Sequence, residues 1–373
     1  MQPVTTNERG FTLVELIVAM ALGLMVLAAV TEIFRSGMEA TSLVVRRAEM
    51  QQNVRAGVNL IVKDVSMAGA GLRPGGLALP NGGGASVSRF TCDQGGTCWL
   101  NNNGYPTGTI GTPPTQVNNY MYGLIPGPGN GMEKGGPGVI PATNRAADAI
   151  TVIYVDYSFP LNQYQVTFPD NTGTTINLAL PVPVPTPLPP PADDPANGIK
   201  VGDLIMLSNS AGGDGWAIGE VTGITPGGSA ITFSNLDPLN INQSGATQGN
   251  IASITCCSPT TAWRIMAVTY FVEVPANRQP PRLMRQVNGQ QPVPVADNII
   301  DLQFTYDLCD SVTTGPTCAN VKDPIGAGFT PSQIHKVNIT LMGQSMLSGN
   351  KAQNMALVSS VSTRNLNFRD RYK

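Results

Sequence analysis

GFTLVELIVAMALGLMVLAAV, residues 10–30, places a Gly-Phe junction ahead of an apolar run interrupted by one acid, Glu15. A run of about 20 such residues is long enough to cross a bilayer as a helix. A carboxylate near the start of a membrane helix costs about 2–3 kcal/mol on insertion scales, so it calls for a partner. Thr12 and Glu15 also have the S/T-x-x-E spacing of a capping box, in which Glu15 satisfies free amides at the helix start. That role requires neither the adjacent Gly-Phe nor the apolar run, and the two roles can coexist. An ordinary secretory signal is disfavoured, because its cleavage site follows the apolar stretch whereas this junction precedes it.

Outward from this segment, the helical pattern continues with no proline before Pro74. Phe34, Met38, Thr41, Val45, Ala48, Val54, Val58, Ile61, Val65 and Ala68 recur at three- and four-residue steps, with Gln51 the polar exception. Such a stripe is suited to packing on a sheet. Arg46, Glu49, Arg55 and Lys63 occupy the other face. A helix from 11 to about 68 would be roughly 85 Å long, with Gly69 and Gly71 supplying its stop.

The remainder predicts a β-rich head, giving an α+β chain: a long N-terminal helix packed on an antiparallel sheet with long Gly/Pro-rich loops. We divide it into a leader (1–10), a transmembrane part of the helix (11–30), an amphipathic continuation (31–70) and a Gly/Asn-rich loop region (71–147). First strands of the head follow (148–180), then a Pro-rich linker (181–198), a small β-meander (199–260) and a C-terminal antiparallel sheet (261–373). AITVIYVDY, from Ala149, is a β-branched and aromatic run fit for a buried strand. PVPVPTPLPPPADDP (181–195) cannot enter a sheet interior. Met266, Val268, Tyr270, Val272 and Val274 alternate with other side chains, as do Ile300, Leu302, Phe304 and Tyr306, and then Val337, Ile339 and Leu341. These read as half-buried antiparallel strands. In the loop region, Trp99, Tyr105, Tyr120 and Tyr122 read as anchors burying the loops rather than as exposed adhesive aromatics.

Composition narrows the function classes. The net charge is −2 and charged residues make up 12% of the chain, without a basic block, so no nucleic-acid surface is indicated. The one histidine, His335, opens a strand and reads as structural. No G-x-S-x-G, H-E-x-x-H or Walker loop is present, and Asp214 lies in a Gly-rich turn without calcium-loop spacing. No enzyme, metal or cofactor is expected. The six cysteines fit an oxidising compartment. Cys92 with Cys98 and Cys309 with Cys318 are candidate local disulfides. Cys256 and Cys257 are adjacent and could form a vicinal bridge, stay reduced or cross-pair.

Gly10, Phe11, Thr12, Leu13 and Glu15, behind a short polar leader, closely resemble the type III signal of type IV prepilins and type II secretion pseudopilins. The resemblance implies that a prepilin peptidase cuts between Gly10 and Phe11 and methylates the amino group of Phe11. It also supplies a partner for Glu15, as fifth residue of the mature chain: the positive terminus of a neighbouring subunit during docking. DVSMAGAG, with Asp64, Ala68 and Gly69, and the strand order of the last hundred residues resemble PilW-type minor pilins, related in layout to the J-type pseudopilin of type II secretion. A minor pilin is therefore expected in the inner membrane, head in the periplasm, and later in the pilus at the cell surface. Its implied partners are other minor pilins, the major pilin, the prepilin peptidase, the inner-membrane assembly platform and the lipid bilayer. Attachment and twitching motility would lie downstream. A J-like pseudopilin and a tip adhesin binding through residues 72–145 are the alternatives.

Overall fold

In the computed structural model, the N-terminal part of the described chain is one helix, α1 (Leu13–Ser66). The structure describes residues 10–73, 75–80, 90–100, 120–210, 215–246, 249–276, 279–310, 317–325, 327, 329–346, 352–363, 365 and 366. Residues 1–9 of the expected leader (1–10), Tyr105 and Asp214 lie outside the described residues. Its 54 residues contain no proline, so no backbone donor is lost along about 80 Å. The helix ends at Ser66 with Met67 as its C-cap, and the chain turns at Gly69, whose positive φ of 77° suits glycine. That residue then hands the chain to the sheet through its N–H, bonded to the Ile153 carbonyl at 2.8 Å.

Strands follow in the order β1 (Leu77–Ala78), β2 (Tyr120–Met121), β3 (Leu124–Gly127), β4 (Ala149–Asp156), β5 (Gln165–Thr167) and β6 (Thr175–Ala179). Next come β7 (Leu204–Ser208), β8 (Trp216–Glu220), β9 (Gly223–Ile224), β10 (Ala230–Thr232), β11 (Thr261–Glu273) and β12 (Arg282–Val287). The chain closes with β13 (Val293–Asp297), β14 (Ile299–Asp310), β15 (Thr317–Val321), β16 (Ile334–Met346) and β17 (Ala352–Ser362).

Among the described residues all the pairs of these strands are antiparallel. The main sheet runs β13-β12-β11-β4-β3, with β7 added beside the first half of β11 and β8 beyond it. A four-stranded sheet, β15-β14-β16-β17, continues the surface on which the helix lies. A smaller sheet, β5-β6-β10-β9, and the β1-β2 pair complete the head.

Side chains of β4 and β11 sort by parity. Ile150, Val152, Val268, Tyr270 and Val272 face a core shared with Val54, Val58, Ile61 and Val65 of α1. Ala149, Ile153, Val155, Ile265, Ala267 and Phe271 face a second core on the opposite side. Period-two alternation produces this division. β11 is thus buried on both faces, where its sequence suggests one solvated face. The cover comes from the region expected to be surface loops: Leu77, Leu79, Phe90, Leu100, Met121 and Ile125 fill the second core. Cys92 and Cys98 are disulfide-bonded there and buried. Asp93 shapes their hairpin, its carboxylate accepting from the N–H groups of Gly95 and Thr97 and from the Trp99 indole at 2.9–3.0 Å. Tyr122 is buried, and Trp99 and Tyr120 are half-buried, so these aromatics act as loop anchors.

The stretch read as a separate meander divides between two sheets. β7 and β8 extend the main sheet through β11, whereas β9 and β10 join β5 and β6 from the other side of the Pro-rich segment. The sequence shows each strand but not its partner, because short antiparallel strands pair as readily with distant neighbours. Residues 181–198 form no strand and run along the surface, with Ala192 as an apolar foothold. Cys256 and Cys257 form a vicinal disulfide, and Asn209 holds that turn by donating to the carbonyls of Ile254 and Cys257 at 2.6 and 3.0 Å. The β14–β15 register sets Cys309 opposite Cys318; their side chains lie outside the described residues. His335 is half-buried in β16, its carbonyl accepting from the Thr363 N–H at 2.9 Å.

Candidate functional site

The candidate site is the helix itself, which changes character at Met50. No residue from Leu13 to Glu49 is buried, a projecting length of about 55 Å. Phe11 is 89% exposed, and Leu24, Met25, Val26 and Leu27 are all bare. Between Glu15 and Glu32 the helix carries no charge, and its apolar window has a mean hydropathy of 2.6. A soluble head has no use for such a surface, whereas a bilayer or a bundle of like helices covers it. The apolar stretch ends where Arg35 meets Glu32 at 3.9 Å and Glu39 at 3.6 Å.

The expected stripe therefore splits. Val54, Val58, Ile61, Val65 and Ala68 are buried, but Phe34, Met38, Thr41, Val45 and Ala48 are exposed. A straight helix leaves the sheet after about five turns of contact, and the stripe continues past that point.

Gly10 and Phe11 lie just ahead of the first turn, and Thr12 is its N-cap. The Thr12 N–H and hydroxyl both donate to Glu15 Oε2, at 2.9 and 3.0 Å, and the Glu15 N–H donates to Thr12 Oγ1 at 3.3 Å. This is the reciprocal capping box that the spacing allows. All three bonds leave Glu15 Oε1 unbonded among the described residues. Capping thus fixes the carboxylate at the helix start and leaves one oxygen for a cation. A cut between Gly10 and Phe11 would keep the box intact, because Thr12 retains its N–H.

At the other end, Asp64 locks the helix to the head. Its side chain, buried in the last turn, accepts from the Tyr270 hydroxyl at 2.5 Å, the Tyr154 hydroxyl at 3.3 Å and Arg285 Nε at 3.0 Å. These three come from the adjacent strands β4, β11 and β12, and Tyr270 and Arg285 are direct cross-strand partners. A carboxylate at a helix C-terminus opposes the macrodipole, so it needs this compensation. Burial, and then the Asp64 charge, push the Tyr154 phenol up to about 12; the same causes raise Tyr270 further. Burial works against the Arg285 charge, but Asp64 outweighs it and holds that guanidinium above its ordinary value.

Two glycines let the surfaces meet. A Cβ on Gly57 would come within 2.9 Å of Leu341, and one on Gly343 within 2.5 Å of Val54. In the sequence Asp64 stands in a helix-end motif without a role, and Gly57, Gly343, Tyr154 and Arg285 carry no local signal. A lone acid in line with an apolar stripe was the available signal.

Residues 5–31 match the model of the prokaryotic N-terminal methylation motif. The N-terminal segment, from the Gly10-Phe11 junction through the first turns of α1, therefore carries that motif. Pilin-like protein PilA3 of Thermus thermophilus is 43% identical over 63 residues, 17% of this chain. The chain spans 27% of that relative's length. Among solved structures, a type IV-like pilin from Thermus thermophilus aligns with 45% of this chain and 87% of its own, at 12% identity and a TM-score of 0.17.

Proposed function

We propose that this chain is a minor pilin of a type IV pilus, of PilW type. Prepilin peptidase cuts between Gly10 and Phe11 and the new Phe11 amino group is methylated. Before assembly the helix anchors the chain in the inner membrane with the head in the periplasm. The assembly platform then moves it into the filament among other minor pilins and the major pilin. The observation that carries this reading is the bare helix from Leu13 to Glu49 behind a methylation motif, on a chain whose head covers only the remainder.

Glu15 is the docking residue in this account. Its free oxygen pairs with the charged terminus of a neighbouring subunit, and in lipid that attraction is barely screened. The head spans three sheets besides the β1-β2 pair, a bulk that favours a rare subunit in a tip or initiation complex over a repeated shaft subunit. Attachment and twitching motility follow from assembly.

The test is incorporation into sheared filaments. Glu15→Ala is expected to be cut normally after Gly10 yet to reach filaments poorly. Incorporation equal to wild type would contradict the pairing.

A further inference from the structure

β17 is the outermost strand of the β15-β14-β16-β17 sheet. β17, AQNMALVSSVS, pairs along its whole length with β16, and among the described residues no strand pairs with its other side. It contains no charge, no proline and no glycine. Unpaired backbone donors and acceptors along such an edge are a template for another strand, which folded proteins usually blunt.

Three other edge strands of these two sheets, β13, β3 and β15, are blunted. β13 carries Pro294 and meets β12 through a register shift at Leu283/Met284. β3 carries Pro126 and spans four residues, and β15 spans five. β17 has eleven residues and none of these devices. Alternate side chains from Ala352 to Ser362 are exposed, all of them small or neutral, and Val358 is 68% exposed. The exposed backbone asks for an extended polypeptide, and the neutral side chains for an uncharged one.

The direction of β17 narrows the choice. At one end Gly343, opposite Met355, lies against Met50 and Val54; at the other, Gly69 lies against Asn365 and Leu366. β17 and α1 therefore run in the same sense, away from the bare helix. An antiparallel β17-to-β17 dimer would point the two bare helices in opposite directions. Subunits anchored alike in one membrane or bundle can form an antiparallel pair only if the partner offers a strand running back toward its own anchor.

We propose that β17 is a strand-addition surface for a neighbouring pilin-type subunit, whose returning, uncharged edge strand continues the sheet in antiparallel register. This rests on the filament reading above, to which it adds the head contact.

The test places a photoreactive phenylalanine analogue at Val358 of the full chain in cells and identifies the adduct by mass spectrometry. The expected adduct is a different anchored chain with an N-terminal methylation motif. Ser359→Pro and Ser360→Pro then probe the edge, since alternation directs only one of these N–H groups outward. The variant that keeps the head's unfolding midpoint is the edge variant, and its adduct should fall about fivefold or more. An unchanged adduct in that variant, a β17-to-β17 adduct with a second copy, or no adduct would overturn the proposal. Adducts are read in both membrane and filament fractions. Absence of the chain from filaments counts against the pilin reading, while the membrane-fraction adduct still decides the role of β17.

Discussion

The two halves of α1 have similar apolar spacing and opposite surroundings. From Met50 to Ala68 the stripe is buried against β14, β16 and the main sheet, with Asp64 as a charged lock. From Leu13 to Glu49 no residue is buried. Apolar periodicity therefore identifies a face that must be covered without saying by what. Glycines mark the covered half: Gly57 lies tight against the sheet, whereas a Cβ on Gly23 or Gly37 would meet nothing within 4 Å.

The strongest way to break this contrast is at the lock. Asp64→Ala leaves Arg285, the buried Tyr270 and the half-buried Tyr154 without their shared acceptor, and should lower head stability by about 3–5 kcal/mol. Denaturant unfolding of the full chain in detergent measures the loss. Next, Gly57→Val forces a branched side chain into Leu341 and Leu283 and should cost about 1–3 kcal/mol in the same assay. In the bare half, Leu24→Ala should change head stability by less than about 0.5 kcal/mol, because its side chain contacts no core. A large loss there would mean that the two halves are one folding unit.

A different element sharpens the account of the head. Burial, and then the neighbouring Asp237, raise Glu220 well above the ordinary carboxylate range. Glu220 accepts from the Gln94 side chain at 2.5 Å and the Leu239 N–H at 3.0 Å, joining β8 to the disulfide hairpin. Its folded pKa is raised, so its favourable contribution is complete below about pH 4.5, the unfolded value, and is lost as pH rises through the folded value. Head stability should decline across that window, and Glu220→Gln should flatten the decline. A decline that persists unchanged in the variant would assign it to other groups.

Much of the fold was legible because it is periodic. The helix and the glycine turn at Gly69 just beyond it, and the alternation in β11, β14 and β16, follow from local spacing. The second core was not legible. Leu77, Leu79, Phe90 and Leu100 lie singly among glycines and polar residues, with no period to betray a shared destination. The Asp64 lock was also hidden, since its partners lie 90, 206 and 221 positions away and only the sheet register unites them. At the N-terminus the Gly10-Phe11 junction and the Thr12–Glu15 spacing were legible, because helix starts are encoded within four residues.

The central claim is that the bare half of the helix begins at a processed end. Mass spectrometry of the membrane-extracted chain tests it directly. The account predicts a mature N-terminal peptide beginning with N-methylated Phe11. A chain that keeps Gly10 and the residues before it, in cells with active prepilin peptidase, would contradict it.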